Sequence, residues 1–586
     1  MNPGVTKKNI LLAGLPYLVF FIIAFAYFLF LTGYIFFYQE KSTLFVLSAD
    51  YLNEHLAKPG SLLIYAGNFL TSFYYYPSIG AIIVSSVMTL VIFVSSEISH
   101  YLTGKEMKFI PFLIGGLLFY LHSGYLYYIH NSLGLLMQLV LFFLSIKYLR
   151  NWIPVLIFPV WYFLTGGFAW IFLVMFSSYL LIHRERTGWI KFALLWALTL
   201  LMIYFSKEYL FFQPVENLLT FPLTTLKSGS KPLIFLALII LIALFPGIAV
   251  LISKLKTSRI SGLLLNTFLP LLVILISSYK VYSEYDVTLK HYYHVEKLFY
   301  QDKFDEIISY NLEYPSNNRL TSYFNNIALC ESGKLNDLLF HFPQSLENNT
   351  LFLKWERVDE ILKRGGYYYY TVGMINEAHR WFFEYMVMEG NTPQDLKMLI
   401  KTDLIYGNHQ VAARYISILQ RTIFYRKQAE EFEKLLFDDD AVDVHPELGK
   451  KRKSLVKKDF FISTDDPLTN LENILSDNEV NKNAFEYKLA FFLLNKDFMS
   501  IANELPNLEM NGFKKLPVHI EEAIVVRKAL PAEGMDYSRF NISTDTEQRF
   551  NQYYQTFQKF GNDRKAAASV LNKSFGSTFW YYVMYY

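Results

Sequence analysis

Apolar residues run almost unbroken through the first half of the chain and fall into short amphipathic segments in the second. A bilayer core of about 30 Å takes roughly 20 apolar residues in a helix. On that length the pattern predicts spans near residues 10–38, 77–97, 109–121, 133–148, 152–164, 167–183, 189–206, 232–253 and 261–280. Two of these, 109–121 and 152–164, are short, and Pro154 and Pro159 predict a kinked or shallow helix in the latter. From about residue 285 the pattern becomes helix, polar turn, helix, punctuated by Pro315, Gly333, Pro343, Gly373, Pro393 and Gly407. Strand-like alternation is rare. The fold class is therefore all-α: a polytopic membrane domain over residues 1–283 with about nine spans, then a soluble helical domain over 284–586.

Charge sharpens the seam. Only 18% of the 586 residues are charged, against about 25% in ordinary soluble domains. Residues 1–280 hold 18 Lys+Arg and 8 Asp+Glu, and the remainder hold 36 and 43, so the net charge of +3 is a sum of two unlike halves. Neither half suggests nucleic acid as a partner. With the N-terminus placed in the cytoplasm, the inner segments carry Lys7/Lys8, Lys105/Lys108, Lys147/Arg150, Arg184/Arg186/Lys191 and Lys254/Lys256/Arg259. The loops 122–132 and 165–166 on the other side carry no Lys or Arg. This positive-inside asymmetry, with an odd number of spans, predicts that the C-terminal domain lies outside the cytoplasm. The single cysteine, Cys330, rules out a disulfide within the chain and reads as a small core residue.

In the soluble half, Gly373-x4-Ala378 and Gly407-x4-Ala412 stand 34 residues apart, and Phe382 and Ile416 share the offset four residues beyond each Ala. That period resembles tetratricopeptide helix pairs, which implies a solenoid able to hold an envelope protein partner. A charged stretch, FDDDAVDVHPELGKKRKSLVKKD, reads either as a solvated loop or as a contact for anionic headgroups or glycan. The aromatic end FGSTFWYYVMYY predicts docking on a neighbouring helix or at the membrane surface.

Candidate chemistry collects on the outer rim. The first span ends in Glu40, and an outer amphipathic loop, 38–76, follows with Asp50 and Glu54 one helical turn apart. Its apolar part after Gly60 reads as a helix lying along the membrane surface. A second outer loop carries His122 and His130, and Lys207 and Lys231 flank a third. Phosphate loops, zinc motifs and nucleophile elbows are absent.

This order of elements, with an acid at the end of the first span, resembles the GT-C superfamily of integral membrane glycosyltransferases. The resemblance implies a polyprenyl-phosphate-linked sugar as donor, used on the extracytoplasmic face within membrane lipid. It implies Glu40, with Asp50 and Glu54, as base or organiser of the acceptor. A carboxylate in hydrogen-bond reach suits that role. The departing lipid phosphate would meet His122, His130, Lys207 and Lys231. The outer loop has no Asp-x-Asp or Asp-Glu pair, which speaks against a metal-dependent version; no cofactor is expected, with a divalent metal as the open alternative. The layout with its Thr-Phe-Trp-Tyr-Tyr end also resembles a family of polytopic Bacteroidota envelope proteins, to which no activity attaches. The alternative is a non-catalytic scaffold whose outer helical domain recruits envelope or secretion partners.

Overall fold

The computed structural model describes residues 7–149, 152–183, 187–223, 231–254, 264–355, 359–458, 460, 462–463, 466–529, 542–561 and 563–586. It is 78% helical, with no strand among the described residues. The chain divides into two units, Met1–Asp286 with Arg421–Phe424, and Val287–Gln420 with Tyr425–Tyr586.

In the first unit, six described helices are long and apolar enough to cross a membrane: Gly14–Leu31, Pro77–Thr103, Ile129–Lys147, Ile153–His183, Gly188–Leu210 and Pro232–Ser253. Phe109–His122 is apolar but shorter, and Leu264–Phe268 leads into Leu269–Ser283. Large apolar side chains such as Phe30, Leu156, Leu200, Leu233 and Leu251 stand exposed, while Ser85, Ser95, Ser99 and Gln138 are buried between helices. That inversion of the soluble pattern is what a lipid solvent selects. The unit is a membrane-embedded helical domain.

Local breaks refine the spans. The first is interrupted by a π-turn at Tyr27–Leu31 and resumes as Gly33–Lys41. Ile153–Thr165 and Ala169–His183 are separated by a 3-10 turn, Gly166–Phe168, entered through Gly166 at φ +56°. The loop after Lys41 forms two helices, Ala49–Leu56 and Ser61–Ser72. The second of these covers the segment expected as a surface-lying helix and has one packed face. It buries Ser61, Leu63, Gly67 and Thr71 and packs on Ile129–Lys147. Gly67 is the reason: a Cβ there would stand 2.6 Å from Cβ of His130, so only glycine permits this approach.

Two sets of loops gather at the helix ends. In one, Gly60 N donates to Phe163 O at 2.9 Å, Gly167 N to Phe221 O at 2.8 Å, and Tyr162 OH to Leu218 O at 2.7 Å. In the other, Lys105 Nζ donates to Ser253 O at 2.8 Å and Lys108 N to Asn266 Oδ1 at 3.1 Å. Among the basic residues expected on the inner side, Arg150, Arg184, Arg186, Lys256 and Arg259 lie outside the described residues, as does the start of the helix expected at 261.

The second unit is built of helix hairpins. Gly373 (φ +85°) and Gly407 (φ +76°) follow the helices Asp359–Thr371 and Pro393–Tyr406. Each is followed within two residues by the next helix, Ile375–Glu389 or His409–Gln420. Ala378, Ala412, Phe382 and Ile416 are all buried at the turns' matching positions. At the C-terminus, Phe579–Tyr585 is a helix with Phe579, Trp580, Tyr581 and Tyr582 buried, and Tyr582 OH donates to Leu494 O at 3.0 Å. Cys330 is buried, and that burial pushes its thiol pKa up.

The charged stretch is folded rather than a solvated loop. It forms Asp439–Val444 and Leu448–Lys453. Arg452 donates from NH2 to Leu404 O at 2.7 Å and from Nε to Ile405 O at 3.0 Å, satisfying carbonyls at the end of Pro393–Tyr406. Its guanidinium also pairs with Asp439 and Asp443, each at 2.9 Å. Asp459 lies outside the described residues.

Candidate functional site

The expected outer-rim residues are placed by the ends of several helices, and the structure brings only some of them near one another. Glu40 sits in the last turn of Gly33–Lys41, 5% exposed, with Oε2 3.2 Å from Lys41 Nζ. Asp50 and Glu54 lie exposed on Ala49–Leu56. Glu40 is thus packed, whereas the other two acids face outward. Beside Glu40, the buried Gln39 donates both amide hydrogens, to Tyr125 O and Tyr127 O at 3.0 Å each. This residue, which carries no charge and escaped the sequence reading, is the clamp that holds the His122–His130 loop to the first helix.

His122 is 3% exposed, with Nε2 2.8 Å from Ser132 Oγ. Its ring meets Tyr127 edge-on at 4.8 Å. Ser132 Oγ in turn donates to Tyr127 OH at 3.4 Å. His130 is also buried, stacked on Tyr128 at 6.1 Å and covered by Gly67. Both imidazoles are core groups in this arrangement.

The two lysines part company. Lys207 is half exposed and pairs with its neighbour Glu208 at 2.8 Å. Lys231 begins Pro232–Ser253 at φ +56°. Its Nζ donates to Tyr120 O (3.1 Å), Ser123 Oγ (3.2 Å) and Glu284 Oε2 (3.0 Å), and lies 3.5 Å over the Tyr120 ring. Burial lowers the Lys231 pKa, with Glu284 opposing. Glu284 loses some solvation, which raises its pKa, but Lys280, Tyr120 and Lys231 together outweigh that and bring it to about 2. Lys231 is therefore spent in an anchor between helices.

A second concentration of polar groups lies inside the helical array, where no site was expected. A cavity of about 280 Å³ is lined by residues that include Lys401, Lys450, Lys451, Glu331, Glu447 and Asp302. Phe299, Ile327, Tyr367 and Met398 form its apolar wall. Lys401 and Lys451 are buried, and Lys450 is exposed at the edge. Lys401 Nζ stands 2.6 Å from Glu447 Oε1, the same atom that accepts from Tyr370 OH at 2.8 Å. Lys451 Nζ pairs closely with Glu331 Oε1 and donates to Thr371 O at 3.2 Å. Loss of solvation raises the Glu447 pKa, but Lys401 and Tyr370 outweigh it, so Glu447 stays ionised below its usual range. The only advance signal of this site was the Lys450–Lys453 run. Lys401, Glu331 and Tyr370 come from distant helices and gave none.

Two further cavities lie elsewhere. One of about 480 Å³ is lined by residues that include Tyr17, Glu97, His100 and Lys108 in the first unit, and one of about 660 Å³ by residues that include His291, Glu313 and Tyr314 in the second. None of these three cavities has Glu40 on its wall. Among the described residues, no group of three or more His, Cys, Asp or Glu is placed to hold a metal ion.

Fold and site together define an all-α, membrane-embedded protein that also carries a helical array with a polar cavity. The chain belongs to the family described as "Family of unknown function (DUF6057)", whose model matches residues 7–586. No curated protein and no solved structure matches it.

Proposed function

We propose that this is a non-catalytic membrane scaffold whose helical array is a recognition module. One observation carries the reading: the array holds Lys401 and Lys451 buried on a cavity wall, each fixed by a carboxylate. Burying an ammonium is costly unless it is paired and hydrogen-bonded, and a rigid paired ammonium in a concavity is a recognition group. The transferase expectation draws less support. Glu40 is packed against Lys41, His122 against Ser132, and Lys231 against Glu284. A base, or a donor to a leaving phosphate, needs reach to the reacting atoms.

The nine-span topology belongs to the same proposal. The loop contacts around Gly60, Gly167 and Tyr162, and those around Lys105 and Lys108, support alternating crossings. With the basic segments inside, the array lies in the extracytoplasmic compartment of the bacterial inner membrane, and envelope proteins are its partners.

The test uses the full chain in native membranes, with a photo-crosslinking residue at the exposed Lys450. Protein adducts are expected, lost in Lys401→Met and Lys451→Met and kept in Glu40→Gln. Adducts that vanish with Glu40→Gln, or that ignore both lysine variants, overturn the reading. A reporter fused to the C-terminus and active in the cytosol overturns the topology.

A further inference from the structure

The cavity in the array presents charged groups of both signs, and these narrow its ligand. Its wall carries three lysines, Lys401, Lys450 and Lys451, and three acids, Asp302, Glu331 and Glu447. Each sign is only partly used within the protein. An ammonium has three donors and a carboxylate two oxygens. Lys401 makes one close bond, to Glu447 Oε1, and stands 3.8 Å from Asp302. Lys451 uses two donors, on Glu331 and on Thr371 O. Both close contacts to Glu447 fall on Oε1, so its Oε2 takes no hydrogen bond among the described residues. At Glu331, Oε2 meets only Lys450, at 3.8 Å. Asp302 is held by the buried Lys397, whose Nζ stands 3.3 Å from its Oδ2, so the donors and acceptors left unspent on this wall belong to Lys401, Lys451, Glu447 and Glu331.

A ligand carrying one cation and one anion meets the unspent groups of both signs. Phe299, Ile327, Tyr367 and Met398 in the same lining take an apolar body. The volume, about 280 Å³, restricts that body to a small one.

We infer that the cavity binds a small, net-neutral zwitterion with an apolar side chain, of the α-amino-acid class, its carboxylate on Lys401 and Lys451 and its ammonium on Glu447 and Glu331. The same chemistry comes from a free amino acid or from a short peptide with both ends free. The assignment rests on the recognition reading above and adds the ligand class to it.

The experiment titrates the full-length protein in lipid nanodiscs by calorimetry with four probes: L-phenylalanine, the dipeptide phenylalanyl-leucine, N-acetyl-L-phenylalanine and L-phenylalaninamide. Saturable binding of phenylalanine or of the dipeptide is expected, and the tighter of the two identifies the source. Each singly blocked probe loses a charge-assisted bond and should bind about 10- to 100-fold more weakly. Lys401→Met and Glu447→Gln should weaken the zwitterion to a similar degree. Lys450→Gln, at an exposed position that leaves the fold intact, should weaken it less. Equal or tighter binding of either blocked probe, binding indifferent to Lys450→Gln, or no saturable binding of either zwitterion at millimolar concentration overturns the assignment. If the zwitterions fail while lysine-dependent protein adducts persist, the ligand class falls and the recognition module stands. If the adducts fail as well, both fall.

Discussion

The two units begin their helices differently. In the membrane unit, the helices Pro77–Thr103, Ile153–Thr165, Pro232–Ser253 and Leu269–Ser283 carry proline in the first turn and no side-chain cap. In the array, Asn318, Thr392, Asp466, Asn481, Asp497, Ser543, Asp563 and Thr578 each accept a backbone N–H at a helix start. Helices joined by short turns in water need side chains to satisfy their first donors. A span set by bilayer thickness starts where the apolar run starts, and proline suits that first turn because its missing N–H is not needed there.

They also differ in what they bury. The membrane unit buries mostly neutral polar groups, such as Gln39, His122, Ser132 and Gln138, the last accepting from Trp161 Nε1 at 2.8 Å, beside a few charges such as Glu40. The array buries charges in pairs: Arg364 with Glu296 at 2.6 Å, Lys401 with Glu447, Lys451 with Glu331. A charge within a lipid-surrounded bundle has little compensating solvent, whereas an aqueous array with wide polar margins can hold one if it is paired. The buried ion pairs Arg364–Glu296, Lys401–Glu447 and Lys451–Glu331 all lie in the array.

The largest expected break in this comparison is at Arg364, which is fully buried. Arg364→Met leaves Glu296 uncompensated and should cost about 3–5 kcal/mol in chemical unfolding of the purified protein. Arg364→Met with Glu296→Leu should recover a large part of that loss. A single variant as stable as the parent would show that the array does not depend on its buried pairs.

The next is a pH effect at Glu486. Burial raises its pKa from 4.5 to about 8, with Lys482 opposing. The folded state then binds a proton that the unfolded state releases near pH 4.5. Its contribution to stability is fully present below about pH 4.5 and is lost as the pH rises toward 8. Melting curves across that range should fall, and Glu486→Gln should flatten the slope and raise the melting temperature at pH 8.

In the membrane unit, Gly67→Val forces a side chain into His130 and should cost about 1–3 kcal/mol. Thermal unfolding in detergent, followed on His122–His130 loop accessibility, checks it. The smallest effect belongs to Lys231→Met. The Lys231–Glu284 pair is partly exposed, and its loss should cost about 1 kcal/mol or less. A collapse of the unit on that change would place a buried-type charge network where the comparison denies one.

Much of the fold could be read in advance because each region carries its own signal. Runs of apolar residues mark Pro77–Thr103 and Pro232–Ser253, and Gly373 and Gly407 mark two hairpins by the backbone they require. Which face of Ser61–Ser72 packs inward was not legible in its apolar composition, and the contact of Gly67 with His130 sets it. The candidate site was harder for the same reason. Nothing local distinguishes a histidine that awaits a phosphate from His122, which is satisfied by Ser132. The cavity's residues, from Phe299 to Lys451, are scattered over some 150 positions of chain.

Local chemistry alone determined that the described residues are helical, without strand, and that the first half carries helices apolar enough to cross a membrane, since hydropathy, glycine and charge act over one or two turns. Which polar groups are spent and which are left for a ligand was decided by tertiary structure. A lysine's role depends on the carboxylate that arrives beside it, and that partner comes from a helix whose approach no local pattern encodes.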